Sequence, residues 1–244
     1  MKRILKTLVT DCINLLYPAT CIGCDEKLET HDKVPVCKMC FEKIKWNTPP
    51  YCSKCGKSMS KNRTYKPTCS DCLRTDVYFT RVWSCCIYED IIKDAIIKFK
   101  YLQGRYLEPF FEAIFARFIK MNTDRNLIDI IMPVPLFKSK LRDRGFNQSE
   151  ILATIIHKLL HKPLLLTILQ KIRPTKPQQE LSRLARLSNV KDTFGVSGSA
   201  NIKNKNILLV DDVFTTGATI NECARVLKRA QCQDIYALTV ARGT

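Results

Sequence analysis

Ile207-Leu208-Leu209-Val210-Asp211-Asp212-Val213-Phe214-Thr215-Thr216-Gly217-Ala218-Thr219 sets four apolar residues ahead of two adjacent carboxylates and a turn rich in threonine and glycine. A short unbroken apolar run suits a strand buried on both faces of a parallel sheet, so residues 207–210 read as that strand. The chain is expected to turn where the run stops, and Gly217 marks the start of the next helix. The backbone N–H groups of Thr216, Gly217, Ala218 and Thr219 would then face outward at a helix N-terminus, where phosphate binds, and the Thr215, Thr216 and Thr219 hydroxyls add donors. Two carboxylates beside such a cradle repel phosphate but accept hydrogen bonds from vicinal sugar hydroxyls. A sugar phosphate therefore fits this stretch better than a bare nucleoside triphosphate. An isolated Asp-Asp pair is usually an acidic turn capping a helix; here the whole pattern sits on a strand–loop–helix, which is the context that gives it meaning.

Alternation of elements continues around this centre. Strands are expected near 84–88, 128–134, 164–168 and 235–240, and helices over 91–101, 106–121, 147–161 and 218–230. In the second helix Phe110, Phe111, Ile114, Phe115, Phe118 and Ile119 form a wide apolar face, as a core helix does. Strands alternating with helices predict an α/β fold, a parallel sheet with helices on both faces, and ligands bound at the carboxyl ends of its strands.

One such end is the Pro133–Pro135 turn. It leads into Lys138, Lys140, Arg142 and Arg144, cations at alternate positions that run toward a helix N-terminus near Asn147. Guanidinium forks and helix-end N–H groups suit a pyrophosphate. A solvated basic loop is the plainer reading of these four residues taken alone. His157 and His161 stand four apart on a helix, but Lys158, Leu159 and Leu160 between them lack the Glu of a zinc protease, so they are read as ordinary helix residues.

Upstream, eight of the thirteen cysteines form four Cys-x-x-Cys pairs: Cys21/Cys24, Cys37/Cys40, Cys52/Cys55 and Cys69/Cys72. Close pairing suits metal better than disulfides, and eight thiolates make two Cys₄ zinc sites. These supply the folding free energy that a small polar segment cannot obtain from burial. Sequential pairing (21/24/37/40 and 52/55/69/72) is the least tangled; cross-bracing (21/24/52/55 and 37/40/69/72) is compatible with the spacing, and an iron–sulfur cluster is a weaker rival. Cys12, Cys85, Cys86, Cys223 and Cys232 read as small buried apolar residues.

The 244 residues carry a formal net charge of +17. Residues 1–75 hold 14 Lys and Arg against 7 Asp and Glu, and residues 138–186 hold 11 against 3. Two basic zones on a nearly neutral body point to polyanions, nucleic acid or phosphorylated ligands. No apolar run approaches the roughly 18 residues of a membrane span. The N-terminal residues Ile4, Leu5, Leu8, Cys12, Leu15 and Leu16 have helical spacing interrupted by polar residues, which makes a poor signal peptide and an amphipathic helix over 1–16 packed on the body. A reducing compartment, the cytoplasm, follows.

The motif at 207–219 resembles the 5-phosphoribosyl-1-pyrophosphate (PRPP) loop of type I phosphoribosyltransferases, apolar residues followed by D-D-x-x-T-T-G-x-T. The resemblance implies a type I phosphoribosyltransferase-like sheet over 76–244. In it Asp211 and Asp212 hold the ribose hydroxyls, and Val213 and Phe214 lead into residues 215–219 around the 5′-phosphate. Lys138, Lys140, Arg142 and Arg144 then form the pyrophosphate loop, with Mg²⁺ bound alongside PRPP. The run Arg142-Asp143-Arg144-Gly145-Phe146-Asn147-Gln148 is similar to the R-x-R-G-F-N-Q signature of ComF-type proteins, which join N-terminal cysteine pairs to such a domain. Arg173, Thr175, Gln178 and Arg186 lie where that family has a flexible loop closing over the site, and 17–75 corresponds to its double zinc ribbon. ComF-type proteins act in natural transformation. The resemblance therefore implies handling of incoming single-stranded DNA in the cytoplasm, with a DNA-uptake helicase as a further partner of the ribbons. Phosphoribosyl transfer to an acceptor that no residue announces is the enzymatic alternative.

Overall fold

The computed structural model describes residues 19–29, 34–59, 67–101, 104–122, 125–175, 189–197 and 202–243. The expected helix over 1–16, Gln178 and Arg186 lie outside them.

Four strands, β1 (Arg81–Ile87), β2 (Ile130–Pro133), β5 (Ile207–Phe214) and β6 (Ile235–Arg242), form one all-parallel sheet in the order β1-β6-β5-β2. Helix α3 (Asp90–Tyr101) follows β1 and α4 (Glu108–Asn122) follows α3; α6 (Gln148–Leu160) follows β2, and α7 (Ala218–Arg229) joins β5 to β6. Successive strand residues point to opposite faces. Leu208, Val210, Ile131, Leu238 and Val240 accordingly enter the apolar cluster built with α3, α4 and α6. Their neighbours Ile207, Leu209, Ile130, Met132, Ile235 and Ala237 enter a second cluster with α7. Both faces are covered, which is why the strands read as unbroken apolar runs. Phe110, Phe111, Ile114, Phe115, Phe118 and Ile119 are all buried in the first cluster, as their spacing predicts, and Cys85, Cys86, Cys223 and Cys232 are buried too.

Three expectations change. First, β5 does not stop at Val210 but runs through both aspartates to Phe214, because β6 continues beside it, Asp211 opposite Thr239 and Phe214 opposite Arg242. The apolar run ends where burial on both faces ends, not where the ladder ends. Second, residues 138–144 are not a basic loop: Lys138–Arg144 is helix α5, closed by Gly145 in the left-handed region (φ 80°), whose N–H donates to the Leu141 carbonyl at 2.8 Å. Glycine reaches that conformation without a Cβ penalty. Third, the strand expected over 164–168 shrinks to a single parallel bridge between Leu164 and Ile131. Pairing falls instead on an antiparallel ribbon of β3 (Leu169–Lys171) with β4 (Phe194–Val196), two partners too far apart in sequence for any hairpin signal. Leu169 and Phe194 bury themselves in the cluster on the α7 face.

The cysteine-rich part is less separate than its composition suggests. Its short helices are α1 (Lys38–Glu42) and α2 (Ser70–Arg74). Cys21, Leu28, Val36, Cys40 and Ile44 join the cluster on the α3/α4 face, whereas Cys52, Cys55 and Cys69 join the other. The connection between the two halves runs along the free edge of β1: the Asn47 and Ile87 N–H groups donate to the Cys85 and Lys45 carbonyls at 3.0 and 2.9 Å. That covers an edge strand whose backbone groups would otherwise be unpaired.

Candidate functional site

β2 ends at Pro133, opposite Val210, so beyond that point one edge of β5 is open. A crevice of about 500 Å³ lies there, at the carboxyl ends of the strands. All nine residues 211–219 line it. The Asp211 Oδ1 accepts the Ser149 hydroxyl at 2.9 Å and the Asp212 N–H at 2.9 Å. The Asp212 Oδ2 accepts Lys100 Nζ at 2.7 Å and Gln148 Nε2 at 3.3 Å. Among the described residues the other oxygen of each carboxylate has no bonded partner and is left for a ligand. Burial, then the charge of Asp212, raises the Asp211 carboxyl to about 7, against the hydrogen bonds that favour its ionised form. Burial works against charge on Lys100, but the Asp212 carboxylate outweighs it and lifts the ammonium above its usual range.

The turn after β5 depends on Gly217. Its φ of 80° lies in the left-handed region, and a Cβ there would stand 2.6 Å from Phe214 Cζ. Helix α7 opens directly after it, with the Ala218 N–H turned toward the Thr216 hydroxyl at 3.4 Å. Amides at a helix start beside threonine hydroxyls make a donor set suited to phosphate.

The four cations of α5 divide by helical geometry. Lys140 and Arg144, one turn apart, line the crevice; Lys138 and Arg142 are exposed and do not. Arg144 donates to Gln148 Oε1 and lies 5.5 Å over the Tyr101 ring. Thr175 lines the crevice and accepts Lys171 Nζ at 2.8 Å, while Arg173 is exposed and outside the lining. Lys171 is a cation the sequence reading missed. Burial first, and the charge of Lys140 second, depress it to about 8. Lys100 and Ser149 were missed as well. Ser149 carried a faint signal, two residues past the Asn147 cap whose Oδ1 accepts its N–H at 3.0 Å. Lys100, on an amphipathic helix far away in sequence, carried none.

The cysteines assemble as two quartets, Cys21/Cys24/Cys37/Cys40 and Cys52/Cys55/Cys69/Cys72, with the sulfurs of each within 4.8 Å of one another. This is the sequential arrangement; cross-bracing is excluded. Four sulfurs at about 2.3 Å from one tetrahedral Zn²⁺ stand about 3.8 Å apart. Cys24 and Cys37 Sγ are 3.8 Å apart and Cys55 and Cys69 Sγ 3.7 Å, so both quartets fit zinc. Backbone amides support the thiolates: the Cys37 N–H donates to Cys21 Sγ and the Cys69 N–H to Cys52 Sγ, each at 3.3 Å. A hydrogen bond from Cys72 outweighs burial and, with the charge of Arg242, lowers Cys55 to about 5.

Residues 12–73 match the double zinc ribbon domain model and residues 147–244 the phosphoribosyl transferase domain model. Fold and site together define a phosphoribosyltransferase-like α/β domain carrying two Cys₄ zinc ribbons. Competence protein F of Haemophilus influenzae (strain Rd) is 28% identical over 227 residues, 91% of this chain and 96% of that protein. Competence protein ComFC of Bacillus subtilis (strain 168) is 26% identical, covering 85% of this chain and 84% of its own. DNA utilization protein YhgH of Escherichia coli (strain K12) is 26% identical, covering 80% and 84%. The ComF resemblance carried by the motifs therefore extends along most of the chain.

Proposed function

We propose that this protein is a ComF-type factor of natural transformation that handles incoming single-stranded DNA in the cytoplasm and binds PRPP with Mg²⁺ in the crevice at the end of β5. The observation that carries the ligand is the convergence of two carboxylates, the Thr215–Thr219 turn and the cations Lys140, Arg144 and Lys171 around one cavity. Asp211 and Asp212 would accept the ribose hydroxyls through their uncommitted oxygens, the turn would take the 5′-phosphate, and Lys140 and Arg144 would face the pyrophosphate. Mg²⁺, when bound, would neutralise pyrophosphate charge and lean on the ligand's own oxygens, with few direct protein ligands. The DNA part is supported by the names of the relatives, the +17 charge and the ribbons. Among the described residues no helix is long and apolar enough to cross a membrane.

A second reading, phosphoribosyl transfer with release of pyrophosphate, is favoured by the same division of the crevice between carboxylates and cations. It would work by positioning and charge neutralisation around an oxocarbenium-like transition state. Calorimetry of PRPP and Mg²⁺ with the wild type and with Asp211→Ala/Asp212→Ala tests the site; equal binding by both would sink the assignment. DNA affinity measured across a salt series should fall steeply, and a flat slope counts against the nucleic-acid part. Pyrophosphate appearing on incubation with candidate acceptors would decide for the enzyme.

A further inference from the structure

A second cavity, of about 540 Å³, opens between the second cysteine quartet and the end of β5. The phosphoribosyl reading does not use it. Val77, Phe79, Ile87 and Phe214 give it apolar walls, and Phe79 meets Phe214 edge to face with centroids 6.1 Å apart. The Arg242 guanidinium lies 4.9 Å over the Phe214 ring and donates to the Cys55 carbonyl at 2.6 Å.

Asn47 also lines this cavity, although the residue is only 6% exposed. Its Nδ2 donates to the carbonyls of Gly56 at 2.9 Å and Ser84 at 3.2 Å. Those two bonds fix the orientation of the amide, since the flipped amide would set Oδ1 against two carbonyl oxygens. Oδ1 is then left without a donor, the one buried side-chain oxygen or nitrogen among the described residues in that state. Buried acceptors nearly always find a partner, so such an orphan calls for an explanation. Oδ1 has no surface open to the cavity as it stands; a ligand N–H there would supply a partner by displacing the lining over it.

We infer that this cavity binds a nucleobase through Asn47. A planar heterocycle fits aromatic walls, its N–H group completes Asn47 Oδ1, and a ring-nitrogen acceptor or an attached phosphate meets Arg242 and Lys57. The volume lies within the range of sites for small ligands, about 300–1,000 Å³. Phe214, Thr215, Thr216 and Gly217 line both cavities, whereas Asp211, Asp212 and Lys100 line only the crevice. A base held here touches the phosphate turn without reaching the carboxylates, so it sits as an effector of the turn and not as a transfer acceptor. The base is either free or carried by a single strand.

The test uses the full chain loaded with zinc. Adenine is titrated by calorimetry, and a deoxyadenosine oligonucleotide is compared with an abasic strand of equal length. Val77→Trp fills the cavity; zinc content and the cooperativity of thermal unfolding report whether the variant is folded, and Ser58→Phe is a second filler should it fail. Saturable adenine binding that weakens at least tenfold in a filled variant supports a free base. Failure of adenine, with a preference for the base-bearing strand that the filler abolishes, supports a base carried by DNA. The inference is overturned if neither adenine binding nor that preference responds to filling, Oδ1 then being met by a buried water. The PRPP titrations fail or succeed independently, so this site and the crevice are judged separately.

Discussion

Replacing Lys100 by methionine separates a structural from a ligand-binding role in the crevice. Lys100 Nζ is 2.7 Å from Asp212 Oδ2, with side-chain exposures of 23% and 7%. Removing one member of a buried ion pair costs about 3–5 kcal/mol, because the other charge is left without compensation. Gln148, still donating to Asp212, and the partial exposure of Lys100 place this pair at the low end, about 3 kcal/mol. For a chain of this size that corresponds to a fall in Tm of roughly 6–12 °C. Asp212→Asn removes the stranded charge, so Lys100→Met/Asp212→Asn should recover most of the loss. PRPP affinity behaves differently: it should fall in both variants carrying Asp212→Asn and stay within about tenfold of wild type in Lys100→Met. Chemical unfolding and calorimetry on the four proteins read out both quantities. A loss below about 1 kcal/mol in Lys100→Met, or a double variant less stable than either single one, would refute the account of the pair.

Three further outcomes follow from the geometry. Cys21→Ser/Cys40→Ser, both changes in one quartet, should leave one zinc per chain by metal analysis; loss of both ions would contradict the sequential pairing. Arg144→Ala should weaken PRPP binding by about tenfold to hundredfold, from about 1.5–3 kcal/mol for a hydrogen bond to a charged group. Arg142→Ala, on the exposed side of α5, should change it less than about twofold, and equal effects would show that the helical division of these cations is wrong. Finally, Asp211, raised to about 7 by burial and Asp212, ionises near pH 3.9 when unfolded, so between these values the folded chain binds more protons. Its contribution to stability is therefore present at low pH and lost as the pH rises through about 7. Wild type should lose stability relative to Asp211→Asn as the pH rises; a constant difference would show that this carboxyl titrates normally.

Local pattern carried most of the architecture. The apolar run at 207–210 announced a strand covered on both faces, and the Phe stripe of 110–119 announced a core helix, because burial imposes those periods directly. Where the sequence misled, a local rule met a tertiary one. Cations at every second position from Lys138 to Arg144 read as a basic loop, yet the segment is helical, and the helix sorts Lys140 and Arg144 from Lys138 and Arg142. Residues 164–168 have strand composition, but ladder bonds need a neighbour, and in the parallel sheet only Ile131 serves as one, accepting from the Leu165 N–H and donating to the Pro163 carbonyl.

From the chain alone came the chemistry available to it. Asp211 and Asp212 precede a turn only glycine permits, eight thiolates stand in pairs, and each of these features is set by neighbours within a few residues. Which groups those features meet was decided by folding. The edge of β5 left open by Pro133 brings Lys100, Ser149 and Lys171 from three other elements onto the carboxylates and phosphate turn. The packing of each ribbon half against a different face of the sheet sorts the cysteines into sequential quartets. The same packing leaves Asn47 Oδ1 unpaired beside the second cavity. Spacing along a chain specifies donors and acceptors; only distances in space pair them.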